Sequence, residues 1–395
     1  MEVTKLVIVE PFTTGHHISL YLRSILLKLR SLKHVDLTLV TSQEVLTSRA
    51  YLNLLNEPGV LEPEVIEINL KLSSKYLIIR LIKAFVFRFK VHRELSKRFS
   101  TGLVYWNTLD FVSKTFWLIP KFSARFKYYG IQMKEGNLSR LRSLFKENKA
   151  LLKLYAFLQM RMGFEKIATI DLHLFELLEG LSANRIFYVG DPTNLVPTDE
   201  KRIEKLNIER KKEVNVLVFG SISSRKGIGD LKDLLVGYGS DKNFRITIAG
   251  SVSSSFLLDL EILENQLNEE NIKVETINRW ISSDEEKTLF EAADLVWVAY
   301  NKKFTGSSGV LFSACTMGKP VIARDTGYIS YLVEKYSIGI LCDFNDLVES
   351  RVRLSHILDT NSAYNMASAN AIKMSRFHTS DSFASGVLDM LNIAN

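Results

Sequence analysis

Short apolar runs of strand length recur along the whole chain, and stretches with helical spacing follow them. KLVIVE (5–10), VDLTLVT (35–41), LVYW (103–106), RFKYYG (125–130), KIATID (166–171) and RIFYVG (185–190) form one series. VNVLVFG (214–220), RITIAG (245–250), IKVETI (272–277), DLVWVAY (294–300), KPVIARD (319–325) and GILCD (339–343) form a second. Runs this apolar are buried on both faces, and their alternation with helices is the pattern of parallel sheets covered on each side. The fold class is therefore α/β, in two halves. DPTNLVPTD (191–199) separates the two series with two of the chain's seven prolines and is the expected linker. The expected units are 1–190 and 191–378, and 395 residues leave each enough chain for its own core.

The remaining composition narrows the class. Cys315 and Cys342, the chain's 2 cysteines, lie in apolar stretches and read as buried small hydrophobes of a reducing compartment. No spacing of Cys and His marks a metal site. The amino terminus, MEVTKLVIVEPF, reads as a strand and a turn without the apolar core of a signal peptide. No stretch reaches the ~18 uninterrupted apolar residues of a membrane span. The expected compartment is the cytoplasm.

Charge is uneven. Residues 1–190 hold 28 Lys and Arg against 16 Asp and Glu, net +12, and the remainder holds 23 against 28, net −5. Much of the excess sits in KYLIIRLIKAFVFRFKVHRELSKRF (75–99), with eight Lys or Arg and one Glu. As a helix it places Leu77, Leu81, Ala84, Phe85 and Phe89 on one side, with Arg80, Lys83, Arg88 and Lys90 around them. Two readings stand. One packs an amphipathic helix on a sheet with its basic face solvated; the other lays it on an anionic lipid surface, with Phe85, Phe87 or Phe89 reaching the headgroups. No nucleic-acid motif accompanies the charge.

In open α/β sheets ligands sit beyond the carboxyl ends of the strands, and three such ends carry candidate residues. In FGSISSRKGIGDL (219–231) a strand ends at Gly220, Ser221 opens a polar loop, and a helix is expected near Lys226 and Gly227. Arg225 and Lys226 stand at that helix's positive end, where two cations repel each other unless an anion lies between them, phosphate above all. The alternative is a solvated basic loop. In FTGSSGVLFSACTMGKPVIARDTG (304–327) a helix is expected from about Ser308, and Gly306 and Gly309 let a ligand approach the amides of Gly306, Ser307, Ser308, Gly309 and Val310. Such donors hold an anion without any side-chain charge; the alternative is an ordinary Ser-capped helix. Two anion-ready ends on neighbouring strands suit a diphosphate. In EPFTTGHHISLYL (10–22), Gly15 and His16 lead into the first helix, either touching the distal part of a ligand or serving structure alone.

These residues resemble a family. VNVLVFGSISSRKGI, with its Lys226–Gly227 pair, then ITIAG, LFEAADLVWVAY and SSGVLFSACTMGKPVIARDTGYISYLVEKYSIGIL follow the order and spacing of the donor domain of family 4 glycosyltransferases. The first half fits more loosely, through the glycine-containing loop after its first strand. The resemblance implies a GT-B fold, two Rossmann-like domains facing each other across a cleft, with a last helix at 379–393 packing back on the first. The sequence also departs from the family. Two glutamates that bracket the glycine-rich loop fall at Thr305 and Ser313 here, and the later one usually binds the nucleotide ribose. The family's arginine after the strand falls at Ser221, leaving Arg225 to supply the charge. Where many members carry a histidine, after LVYW, this chain has Asn107, Thr108 and Asp110.

The expected function is a glycosyltransferase moving a sugar from a nucleotide diphosphate sugar to a glycan or lipid-linked acceptor. The resemblance implies retention of configuration, and no Asp-x-Asp at a strand end asks for a metal. No cofactor is expected beyond the donor itself. Lys226, Arg225 and the 306–310 amides would stabilise the leaving diphosphate, with His16 and Asp110 as further catalytic candidates and Thr305 or Ser313 near the ribose. The expected partners are the donor, the acceptor and an anionic membrane surface met by residues 75–99 at the inner face of the plasma membrane. Two other classes remain: a non-catalytic GT-B protein that binds a glycan or a partner, and a sugar-nucleotide epimerase.

Overall fold

The computed structural model describes the chain apart from residues 1–2, 14–16, 70–75, 134–147, 149, 152, 156, 158–161, 182–183, 197–207, 210, 239–241, 305 and 394–395. The chain forms two compact units, 1–192 with 380–395, and 193–379.

The first unit is built on a seven-stranded parallel sheet. Its strands are β1 (Thr4–Glu10), β2 (Val35–Thr41), β3 (Glu64–Glu67), β4 (Gly102–Trp106), β5 (Phe126–Gln132), β6 (Phe164–Thr169) and β7 (Ile186–Tyr188), in the order β3-β2-β1-β4-β5-β6-β7. Alternation along β1 sorts the core into two layers. Leu6 and Ile8 pack with Ile25 and Leu29 of helix α1 (Arg23–Leu29), while Val7 and Val9 face Phe87, Val91 and Leu95 of helix α2 (Leu77–Arg98). β3 has no counterpart among the apolar runs of the sequence: it is a four-residue edge strand with one buried side chain, Ile66. The last helix in the chain packs in the same core through Phe383 and Val387.

α2 buries a different face from the one its sequence suggests. Ala84, Phe87, Arg88, Val91 and Leu95 point inward, and Phe89 is 48% exposed. Arg88 is no surface cation. Its guanidinium lies 3.4 Å from the Phe116 ring centroid and donates to Thr115 Oγ1 at 3.1 Å and to the Ile119 carbonyl at 2.8 Å. Burial pulls its pKa down to about 9, which leaves it charged at neutral pH. Phe87 is fully buried and does not reach outward. Among the described residues no helix is long and apolar enough to cross a membrane.

The second unit repeats the plan with six parallel strands, β8 (Glu213–Phe219), β9 (Asn243–Ala249), β10 (Lys273–Ile277), β11 (Leu295–Trp297), β12 (Val321–Arg324) and β13 (Gly339–Cys342), ordered β10-β9-β8-β11-β12-β13. Val214, Val216 and Val218 of β8 face one core layer with Leu231 and Leu234 of helix α3 (Ile228–Leu235). In both sheets the chain reverses its direction of winding beside the first strand, between β1 and β4 and between β8 and β11. Those switch points open crevices at the strand ends, and ligands of doubly wound sheets bind there.

Candidate functional site

The switch point of the second sheet gathers most of the candidate residues. β8 ends at Phe219, and Gly220 follows at φ 97, in the left-handed region that favours glycine. A Cβ there would stand 3.6 Å from Lys226 Nζ and 3.6 Å from Val310 Cγ2, so the cation and the next helix converge on the end of β8. Ser221 is exposed beyond it. The expected helix start near Lys226 is instead a 3-10 turn, Ser224–Lys226, and α3 begins only after Gly227. Gly227 has φ 65, and a Cβ there would lie 2.7 Å from the Ala299 carbonyl, so the turn is pinned against the exit of β11.

Lys226 does not project into solvent. It is 1% exposed, and its ammonium donates to the Phe219 carbonyl and to Tyr300 Oη at 3.1 Å. Trp297 Nε1 holds the Lys226 carbonyl at 2.6 Å. An ammonium has three donors, and two of them are used here. Arg225 places its guanidinium 5.3 Å from the Tyr300 ring centroid and 5.1 Å from that of Phe304. Lys226 Nζ is 4.5 Å from the Tyr300 centroid. An aromatic face therefore lies against both cations, where the sequence suggested that only an anion would relieve their repulsion. Arg324, buried at the end of β12, donates to the Tyr300 carbonyl at 2.8 Å and is neutralised by Asp230.

Helix α5 (Gly309–Thr316) starts one residue later than expected, with Ser308 as its cap. The Ser308 hydroxyl makes no capping hydrogen bond; it lies 2.9 Å from Tyr300 Oη instead. The first-turn amides of Gly309 and Val310 are thus left without a side-chain acceptor of the usual kind. Around Gly306 the space is open: a Cβ on this residue would meet nothing within 4 Å. Ser307 precedes the cap. The structure brings together Gly220, Lys226, Ser308, Gly309 and Val310, with Arg225 one aromatic ring away.

One turn along α5, Ser313 donates to Glu286 Oε1 at 3.1 Å and lies 3.4 Å from Thr193 Oγ1. Glu286 belongs to helix α4 (Ser283–Ala292), and burial raises its pKa, partly offset by the Ser313 bond. Asp110 lies elsewhere, in the first unit, where Oδ1 accepts the Met133 amide at 3.1 Å. Gly15, His16 and Thr305 fall outside the described residues. Tyr300, Glu286 and Arg324 escaped the sequence reading. Tyr300 reads in sequence as the apolar end of a strand, because Arg225 and Lys226 meet it only in the fold. Glu286 stands four residues before buried Phe290, at a position where helical spacing predicts an apolar residue.

The paired switch points define the class through comparison with solved structures. Anabaena Alr3699/HepE, in complex with UDP and glucose, superposes with a TM-score of 0.61 at 16% identity over 99% of this chain and 100% of its own. Sucrose-phosphate synthase from Thermosynechococcus elongatus gives 0.65 at 15% identity, covering 98% of each chain. WaaG, a glycosyltransferase involved in lipopolysaccharide biosynthesis, gives 0.58 at 13% identity over 99% of this chain and 100% of its own. The fold is GT-B. No curated protein sequence matches the chain. Residues 199–374, which lie within the second unit, match the family model of glycosyl transferases group 1.

Proposed function

We propose that this protein transfers a sugar from a nucleotide diphosphate donor to a glycan or lipid-linked acceptor, and that the second unit holds the donor. The observation that carries this reading is the chain Lys226–Tyr300–Ser308, which ties the ammonium to the cap of α5 beside its first-turn amides. An anion bound there would meet one ammonium proton, the Arg225 guanidinium and the Gly309 and Val310 N–H groups. In the reaction the anomeric carbon forms a bond to the acceptor oxygen and loses its bond to the diphosphate oxygen. The acceptor proton passes to the departing phosphate, and the growing negative charge falls where these donors are already fixed. Retention of configuration, independence of metal and a ribose contact through Thr305 or Ser313 are parts of the same proposal, with His16 and Asp110 as acceptor-side candidates. The UDP and glucose bound by Anabaena Alr3699/HepE support a nucleotide-sugar donor.

The test incubates the full chain with a panel of nucleotide sugars and follows release of nucleoside diphosphate. Release or transfer that is lost in Lys226→Met supports the reading. Binding without turnover favours a non-catalytic protein, and interconverted donor favours an epimerase.

A second reading concerns location. Ile78, Ile79, Ile82 and Phe89 are exposed on α2, and so are Arg80, Arg93, Lys97 and Arg98. Apolar side chains interleaved with cations suit an anionic bilayer. Vesicle co-sedimentation checks this: pelleting should need anionic lipid and fall when Arg80, Arg93 and Lys97 become Glu. Equal pelleting with neutral vesicles would overturn it.

A further inference from the structure

Glu286 breaks the pattern of its own helix. α4 turns Phe290 into the core, and Ala293, just past its end, is buried as well. Glu286, one turn before Phe290, falls on that inward face, where a leucine would stabilise the helix. Its neighbours Asp284 and Glu285 already satisfy the helix amino end, and Glu285 closes a capping box with Ser282. The dipole therefore does not require a third acid at a half-buried position.

No cation relieves it either. Among the described residues the hydrogen-bonding partner of the Glu286 carboxylate is the Ser313 hydroxyl, on Oε1, and no Lys or Arg pairs with it. Ser313 is 6% exposed and is anchored from its other side by Thr193 Oγ1 at 3.4 Å. A carboxylate kept at a desolvated place, steered by a hydroxyl and left with a second oxygen, is a pair of lone pairs waiting for neutral donors.

Its place decides what those donors are. Ser313 lies four residues past Gly309 on α5, about 6 Å along the helix axis from the first-turn amides. A phosphate would be repelled by the carboxylate, so the carboxylate does not meet the anion itself. The ribose of a nucleoside diphosphate carries two adjacent hydroxyls about that far from its phosphates, and paired oxygens of a carboxylate accept from both; acidic residues play this part in other doubly wound nucleotide sites. α5 itself has no acid in its sequence GVLFSACT, so the group must come from another element.

We propose that Glu286 of α4, oriented by Ser313 of α5, is the residue that grips the ribose hydroxyls of the donor nucleotide. This rests on the nucleotide-sugar reading above, and it moves the carboxylate from the helix that holds the phosphates to the neighbouring one. Ser313 then reaches the ribose through the carboxylate it orients, which refines the contact through Thr305 or Ser313 proposed above.

The experiment is calorimetric titration of the full chain with uridine, guanosine and adenosine diphosphates and their 2′,3′-dideoxy counterparts. For the diphosphate that binds best, removing the ribose hydroxyls should weaken binding to the wild-type chain by roughly 10- to 100-fold, the range of a charged hydrogen bond. Glu286→Gln should lose most of that preference, so that ribo and dideoxy ligands bind alike. Glu286→Leu should lose it as well while melting at or above the wild-type temperature, because leucine suits the inward face; this separates a functional group from a structural one. Ser313→Ala should lose part of the preference. A wild-type preference retained by both Glu286 variants overturns the inference and leaves the nucleotide reading standing. A preference seen with nucleotide sugars but absent with the diphosphates moves the carboxylate to the transferred sugar and also overturns it. No binding of any nucleoside diphosphate to the wild-type chain overturns the nucleotide reading together with this one.

Discussion

The switch points of the two sheets share a topology and differ in charge. In the first unit, between β1 and β4, Glu10 is fully buried and accepts the Phe12 amide at 2.9 Å and Asn107 Nδ2 at 2.7 Å, with His17 Nδ1 3.4 Å away. Nearby, Tyr21 Oη donates to buried Asp191 at 2.6 Å, and its pKa is raised well above the usual phenol value by burial and then by that carboxylate. In the second unit, between β8 and β11, the same position holds Lys226, Arg225 and the open amino end of α5. One crevice is acidic and turns its donors on itself; the other is cationic and keeps donors free. Topology thus marks where a ligand can sit, and the side chains at the strand ends decide its charge. Among the described residues, the donors that the proposed anion needs lie at the second crevice.

Glu10→Ala is the harshest way to break that contrast. It strands the Asn107 amide and the Phe12 N–H in a dry place, where, among the described residues, His17 Nδ1, Asn107 Oδ1 and Tyr105 Oη already lack hydrogen-bond partners. The first unit should lose about 2–4 kcal/mol of stability, read by urea unfolding, while nucleoside-diphosphate affinity stays as it was. A weakened affinity would show that the acidic crevice takes part in holding the anion.

Lys226→Met should come next. Losing one charged hydrogen bond to phosphate weakens nucleoside-diphosphate binding by about 1.5–3 kcal/mol. Methionine keeps most of the volume, so calorimetry reports the charge more than the packing. Unchanged affinity would place the anion elsewhere. Ser308→Ala removes the Tyr300 Oη contact and should weaken binding by only about 0.5–1.5 kcal/mol, as befits a neutral bond that positions the phenol.

What the sequence made legible follows the range over which each signal acts. Gly220, Lys226 and Gly227 sit in a local turn and Gly309 opens α5, so the places of these residues at the strand ends are legible from their own neighbours. The strands could be read for the same reason, since two-sided burial leaves an unbroken apolar run. β3 was not readable, because an edge strand with only Ile66 buried carries almost no apolar signal. Arg88 was misplaced because its burial depends on Phe116 and Phe122, which lie far along the chain and form the aromatic box that accepts a guanidinium. Tyr300 and Glu286 needed tertiary partners too: a phenol means little until two cations and a serine lie around it, and an acid on an apolar helix face looks like noise until Ser313 meets it.

The smallest predicted effect concerns that acid and sharpens the contrast within the second unit, between donors that are kept free and an acceptor that is kept dry. Burial raises the pKa of Glu286, with the Ser313 bond pulling partly the other way. The folded chain therefore holds this proton more tightly than the unfolded chain, whose glutamates titrate near ~4.3. Between the unfolded and folded values, unfolding releases a proton, so stability falls as pH rises through that window and carries a constant penalty above it. Glutamine accepts from Ser313 without bearing charge, and Glu286→Gln should thus unfold at a higher urea concentration than wild type at pH 7. The gain should shrink as the pH falls through the folded-state pKa and vanish below ~4.3, where the wild-type acid is protonated in both states. Paired urea titrations across pH 3.5–8 give the difference directly. A variant less stable than wild type at neutral pH, with the gap closing on acidification, would mean that the ionised carboxylate stabilises the fold, as an ion-paired acid does, and that Glu286 belongs to the scaffold and not to the nucleotide.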